Sequence, residues 1–235
     1  MSFALFFSPA EFKHEPIAYI IGTQEFYGYE FKVTANTLIP RPETELLVSA
    51  TLDFLRASEE SSPKILDLGT GTGCIALTLT LEHQGVHVTA VDLSAEPLQV
   101  TEKNRAKLKL NPQRILIEQA DVLAESFWQR QERFDALISN PPYIGIQEKK
   151  SLEKNVLGFE PHTALFAEDE GLAFYKTYAK FSHKLLKPHG KLFLELSPII
   201  YEKVCQIFKK HNWQIVETIT DLAGHKRHII CQTNL

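Results

Sequence analysis

The chain has 235 residues, 44% hydrophobic and 23% charged, a balance that fits one large α/β domain with or without a small appendage. Its 25 basic and 29 acidic side chains leave a net charge of −4, which argues against tight non-specific binding to nucleic acid, since that rests on basic surface. Cys74, Cys205 and Cys231 lie far apart, with no CxxC pair and no His at metal spacing, so the expectation is reduced buried thiols, a cytoplasmic setting and no metal site.

Met1 to Phe7 is apolar but short, lacks a basic n-region and does not read as a signal peptide. No run approaches the ~18 apolar residues of a membrane span. Residues 1 to about 15 read as a frayed or weakly helical lead-in. Residues 17–33 are rich in β-formers, and Phe26-Tyr27-Gly28-Tyr29-Glu30-Phe31 predicts a hairpin turning near Gly28, its aromatics forming a satellite core. An apolar helical period runs over 46–56. Pro42 fits a first helical position, and Glu43 and Glu45 fall in the first turn, where the helix dipole favours acids. That accounts for the glutamates but not for Arg41, held between two prolines, which is a candidate substrate-facing residue. The polar stretch 58–63 connects to the main part of the chain, giving an expected division into residues 1–60 and 61–235.

From Lys64 onward strands and helices alternate. Strands are expected over 65–68, 86–91, 115–118, 134–139 and 192–196, and helices over 74–82, 95–108, 172–186 and 198–210. Lys187-Pro188-His189-Gly190 is expected to break the chain between a helix and a strand. Strands over 213–219 and 228–231 close it as an antiparallel hairpin. The pattern predicts a doubly wound, mostly parallel α/β sheet.

The loop after the first core strand reads Asp67-Leu68-Gly69-Thr70-Gly71-Thr72-Gly73. Glycines let backbone approach a ligand closely, and the following helix presents free N–H groups. The strict alternation differs from the GxGxxG of dinucleotide sites, and there is no GK[ST] of a phosphate loop. Asp67 would repel a pyrophosphate but attract a cationic amino group. Asp92 ends the next strand, where an acid reads a ribose diol. S-adenosylmethionine carries an amino group, a ribose and a sulfonium but no phosphate, so it fits Asp67, the glycines, Thr70, Thr72 and Asp92 together. Asp121 and Val122, after the third strand, lie where an adenine ring would be edged by an acid and packed by an apolar side chain. Asp121 serves equally well as a loop cap.

Ser139-Asn140-Pro141-Pro142-Tyr143 follows the fourth strand. Two prolines hold the backbone extended and remove two N–H donors, leaving the carbonyls of Asn140 and Pro141 as acceptors with little freedom. The Asn140 carboxamide adds an acceptor and two donors, and Tyr143 an aromatic face. Such a site suits a planar amino or amide group whose two hydrogens each meet one acceptor. A proline-rich turn with a packed tyrosine is the purely structural alternative.

The glycine loop followed by Asn-Pro-Pro-Tyr resembles class I methyltransferases that act on amino or amide nitrogen. Together with residues 39–46, 139–144, Glu160-Pro161, Ala164-Leu165 and Asp221-Leu222-Ala223-Gly224, it is similar to the release-factor glutamine N5-methyltransferase family (PrmC/HemK), from about Pro16 to Cys231. The resemblance implies a class I methyltransferase fold, a seven-stranded mostly parallel sheet with a small N-terminal hairpin. It implies methyl transfer to the glutamine amide of the Gly-Gly-Gln motif of peptide chain release factors. Asp67, residues 69–73, Asp92, Asp121, Val122 and Asn140 would hold the cofactor, and Asn140, Pro141, Pro142 and Tyr143 the glutamine. Two departures are the short stretch before the hairpin, where relatives usually carry a helical domain that helps dock the release factor, and Lys226, where relatives often have an acid. Two other classes of function are weighed against this one. The adenine N6 amino group of DNA also presents two coplanar hydrogens, but the acidic net charge and the lack of a base-flipping domain stand against it. A non-catalytic module that binds cofactor or a partner is the other, opposed by the intact Asn140 and Asp67.

Overall fold

The computed structural model describes residues 14–233, so the expected lead-in falls almost wholly outside the described residues. Residues 17–21 form a single helical turn, α1 (Ile17–Ile21), rather than strand. Pro16 opens it, and left-handed Gly22 closes it by donating its N–H to the Ala18 carbonyl at 2.8 Å. The expected hairpin follows, β1 (Thr23–Phe26) with β2 (Tyr29–Lys32). Its two turn residues, Tyr27 and Gly28, have φ of 53° and 75°, the backbone that a two-residue turn between right-twisted strands needs. The aromatics form no separate core. Phe26 and Phe31 pack into one cluster with Leu47 and Leu52 of α2 (Pro42–Arg56) and Ile65 of β3 (Lys64–Leu68).

The core strands are apolar on both faces, as a sheet covered on both sides requires. Side chains alternate across a strand. In β3, Ile65 therefore enters one layer while Leu66 and Leu68 enter the other. The remaining strands are β4 (His87–Asp92), β5 (Ile115–Gln119), β6 (Phe134–Ser139), the short parallel pair β7 (Ile144–Gly145) and β8 (Phe166–Ala167), β9 (Leu186–Glu195), β10 (Trp213–Thr220) and β11 (Lys226–Thr233). Seven of them form one sheet in the order β10-β11-β9-β6-β3-β4-β5. Only β11 runs antiparallel to its neighbours. The mostly parallel seven-stranded sheet and the antiparallel closing hairpin are as expected.

One stretch differs. The helix expected over 172–186 ends at Phe181, and the strand begins at Leu186 instead of 192. Pro188-His189-Gly190 does not end an element but is absorbed as a bulge inside β9, where the register slips between Phe134 and Ala136 of β6. His189 adopts φ 66°, and a Cβ on Gly190 would lie 3.0 Å from the Asp135 carbonyl, so a glycine is what the close approach allows.

Strand order reverses between β3 and β6, and in open α/β sheets the ligand crevice lies at the carboxyl ends beside such a switch point. The glycine loop, Asp92, Asp121, Asn140 and Glu195 end β3, β4, β5, β6 and β9 there. Antiparallel β11 starts at the same edge and sets His228 opposite Glu195. Among the described residues, no helix is long and apolar enough to cross a membrane, and no group of three or more His, Cys, Asp or Glu could hold a metal ion.

Candidate active site

The glycine loop runs into α3 (Cys74–Glu82) and curls back on β4, with the Gly69 and Thr70 N–H groups both donating to the Val91 carbonyl at 2.9 Å. Gly69, Gly71 and Gly73 have φ of 79°, 58° and 80°. A Cβ on Gly69 or Gly71 would meet nothing, so these glycines are there for backbone conformation, and their outer face is open. At Gly73 a Cβ would lie 2.7 Å from Thr101 Cγ2, so that glycine permits close helix packing. Thr101 and Asn104 come from one face of α4 (Ala95–Lys107) and brace the loop. Thr101 donates to the Gly71 carbonyl at 2.9 Å. The Asn104 carboxamide donates to the carbonyls of Thr72 at 2.9 Å and Lys32 at 3.0 Å while accepting from the Lys32 N–H at 2.7 Å.

Two carboxylates flank this loop. Asp92 accepts from the Gly71 N–H at 2.9 Å and the Ser94 N–H at 3.2 Å and still lines the cavity. Asp67 is fully buried behind Thr70, whose hydroxyl donates to Oδ2 at 2.7 Å, and its Oδ1 has no hydrogen-bond partner among the described residues. Burial pushes the Asp67 carboxyl up to about 7 against the opposing Thr70 hydroxyl, and burial also raises Asp92 against its two N–H donors. Two carboxyls so raised make a site that a cation relieves. Asp121 accepts from the Leu123 N–H at 2.8 Å, the loop-cap use, and also lines the cavity beside buried Val122.

The same cavity is lined by Gly69, Thr70, Gly71, Thr72, Asn140 and Pro142 and by Arg41, but not by Asp67, Gly73, Pro141 or Tyr143. Ser139, one residue before Asn140, donates its hydroxyl to the Leu68 carbonyl at 2.7 Å and so ties the two motifs together. The Asn140 amide group donates from Nδ2 to Thr44 Oγ1 at 3.1 Å, and Thr44 donates to Glu195 Oε2 at 2.7 Å. His228, fully buried, holds Nε2 3.4 Å from the same carboxylate oxygen. Tyr143 is partly buried against the core, and burial holds its phenol well above the usual range, so it stays neutral. Its backbone is pinned between the β7–β8 pair and a turn in which Asp169, Glu170 and Gly171 are consecutively left-handed. Arg41 pairs its guanidinium with buried Glu160, which also accepts from the Ile39 N–H at 3.3 Å.

Thr44, Glu195, Thr101, Asn104 and Gly171 were not singled out from the sequence. For Thr101 and Asn104, polar residues three apart on the face of a helix that also buries Val100 were the available signal. Thr44 stands inside the Arg-Pro-Glu-Thr-Glu stretch, but its partners lie 96 and 151 residues away.

The model of the methyltransferase small domain family matches residues 43–158. A release factor glutamine methyltransferase from Koribacter versatilis is 39% identical, over 92% of this chain and 74% of its own. A bifunctional methyltransferase from Rickettsia felis is 37% identical over 93% of this chain but 45% of its own length, so the chain spans about half of that relative. Among solved structures, a release factor-specific protein-(glutamine-N5) methyltransferase from Alicyclobacillus acidocaldarius superposes with a TM-score of 0.52 at 26% identity, covering 84% of this chain and 95% of its own.

Proposed function

Since the chain belongs to the release factor glutamine methyltransferase family, we propose that it transfers a methyl group from S-adenosylmethionine to the side-chain amide nitrogen of the glutamine in the Gly-Gly-Gln motif of peptide chain release factors. The observation that carries this reading is that Asn140 and the glycine loop line one cavity at the switch point of the sheet.

The residues present fit the cofactor. The loop's outer face is open at Gly69 and Gly71, and Asp92 keeps lone pairs beyond its two N–H donors. Val122 and Asp121 flank the remaining wall. Asp67, behind Thr70, acts on the cationic amino group through that hydroxyl and through its field. When bound, S-adenosylmethionine supplies an electrophilic methyl group on a positively charged sulfur.

An amide nitrogen is a poor nucleophile because its lone pair is delocalised into the carbonyl. In this reading Asn140 Oδ1 and the Pro141 carbonyl each accept one amide hydrogen and leave the nitrogen's third direction for the methyl. Fixing that orientation supplies several kcal/mol of barrier reduction, on the order of what positioning gives elsewhere. Transfer of that methyl to the oriented nitrogen would leave the electron pair of the broken carbon–sulfur bond on sulfur. The amide proton becomes acidic only as the methyl arrives and passes to solvent. Acceptors aimed at the nitrogen stabilise the charge that develops there. Pro142 packs the target side chain at the cavity wall, next to Tyr143, which is packed against the core, and Arg41, oriented by Glu160, offers its remaining N–H groups to the substrate.

Mass spectrometry of a release factor incubated with this protein and S-adenosylmethionine tests the reading. One methyl gained on the Gly-Gly-Gln glutamine is expected, lost in Asn140→Ala with cofactor binding retained. Methyl incorporation into duplex DNA instead, or cofactor binding with no methyl on any release factor, overturns it.

A further inference from the structure

Resting on that reading, we infer that Thr44 and Glu195 are positioning residues that decide which end of the Asn140 carboxamide faces the cavity. A hydroxyl has one proton and two lone pairs. Thr44 Oγ1 lies 2.7 Å from Glu195 Oε2 and 3.1 Å from Asn140 Nδ2. The single Thr44 proton goes to Glu195 Oε2. What Thr44 then offers Asn140 is a lone pair, and only the NH₂ end of the carboxamide satisfies a lone pair. The reversed amide would set oxygen against oxygen with no proton between them. Asn140 therefore keeps Nδ2 on Thr44 and turns Oδ1 away from it, at the wall of the cavity where the substrate amide needs an acceptor.

The relay is well anchored. Thr44 is buried in the first turn of α2, where its N–H donates to the Arg41 carbonyl at 3.1 Å. Glu195 is buried at the end of β9, between the Tyr175 hydroxyl, which donates to its carbonyl at 2.8 Å, and His228 of β11. Two strands and a helix thus converge behind one carboxamide whose residue lines the cavity. Buried hydrogen bonds of this kind keep their directions, which is the state an acceptor must be in before substrate arrives.

The test is the Asn140 side-chain NH₂ signal in nuclear magnetic resonance, assigned by its loss in Asn140→Ala. Slow solvent exchange is expected in the wild type and in Thr44→Ser, and exchange faster by about tenfold or more in Thr44→Val, which keeps the shape but removes the lone pair. Glu195→Ala frees the Thr44 proton and is expected to raise the exchange as well. With a release factor as substrate, Thr44→Val should lower kcat by about 10- to 100-fold and change the S-adenosylmethionine Kd less than about twofold. Thr44→Ser should stay within about threefold of wild type, and Thr44→Val added to Asn140→Ala should cost nothing further. Unchanged Asn140 exchange in Thr44→Val, or a loss of cofactor binding that matches the loss of turnover, overturns the inference. A wild-type protein that methylates no release factor sinks the functional reading alone, and the exchange measurement still decides the orientation.

Discussion

The Cβ that Gly171 lacks would sit 2.2 Å from the carbonyl oxygen of Tyr143. No heavy atom is tolerated at that distance, so the left-handed turn that follows β8 lies directly on the backbone of the Asn-Pro-Pro-Tyr motif. Asp169 and Glu170 precede it at φ of 53° and 57°, conformations that cost non-glycine residues of order 1–3 kcal/mol each and persist where the surroundings impose them. Gly171→Ala adds a clash to a backbone that alanine already resists. We expect kcat to fall about 100-fold through displacement of Tyr143, with the S-adenosylmethionine Kd within about threefold of wild type. Steady-state kinetics alongside calorimetry check this, and an equal loss of cofactor affinity would speak against it.

Asp67 sets a pH dependence for the protein without cofactor. Its carboxyl is raised from 3.8 to about 7, so between those values the folded chain holds a proton that the unfolded chain releases. The stability tied to that proton is full below the unfolded value and is lost as pH rises to about 7. A cation bound nearby favours the ionised form. S-adenosylmethionine binding should therefore release a proton below about pH 7 and tighten as pH rises toward that point. Calorimetry in two buffers of different ionisation enthalpy measures the proton directly. Asp67→Asn should abolish it, and a release that survives the substitution would place the proton on another group.

Asn104 joins the hairpin to the glycine loop through its three hydrogen bonds, to both backbone groups of Lys32 and to the Thr72 carbonyl. Asn104→Ala leaves those buried groups without partners. The expected loss is about 2 kcal/mol of folding stability and about tenfold in S-adenosylmethionine affinity. Denaturant unfolding and calorimetry read the two effects. Weakened stability with unchanged affinity would show that the loop does not lean on the hairpin.

Arg41 is a third exposed, yet the side chain of its partner Glu160 is 1% exposed. Arg41→Ala strands that carboxylate in the interior. A destabilisation of about 2 kcal/mol is expected, discounted for the exposure of the guanidinium, and Arg41→Ala/Glu160→Gln should recover part of it. Thermal unfolding of the two variants decides. If Arg41→Ala loses turnover at unchanged melting temperature, its contribution is to the substrate alone.

Local pattern carried most of the fold. Apolar runs of strand length alternating with helical periods dictate a parallel sheet, because strands buried on both faces cannot show polar alternation. The turn at Gly28 and the glycine alternation of residues 69–73 were legible because left-handed backbone leaves few alternatives in residue type. Pro188-His189-Gly190 misled for the same reason. These are breaker residues whether the chain ends an element or bulges within it, and only the neighbouring strand β6 distinguishes the two.

The sequence by itself determined that this chain folds as a doubly wound sheet and which two motifs follow its strands, since element type and motif position are properties of short stretches. Tertiary structure alone decided that Thr44, Glu195 and His228 stand behind Asn140, that Glu160 holds Arg41, and that Gly171 presses on Tyr143. Hydrogen-bond direction depends on which groups are brought together in space. Pairings across about a hundred residues leave no mark on the residues near either partner.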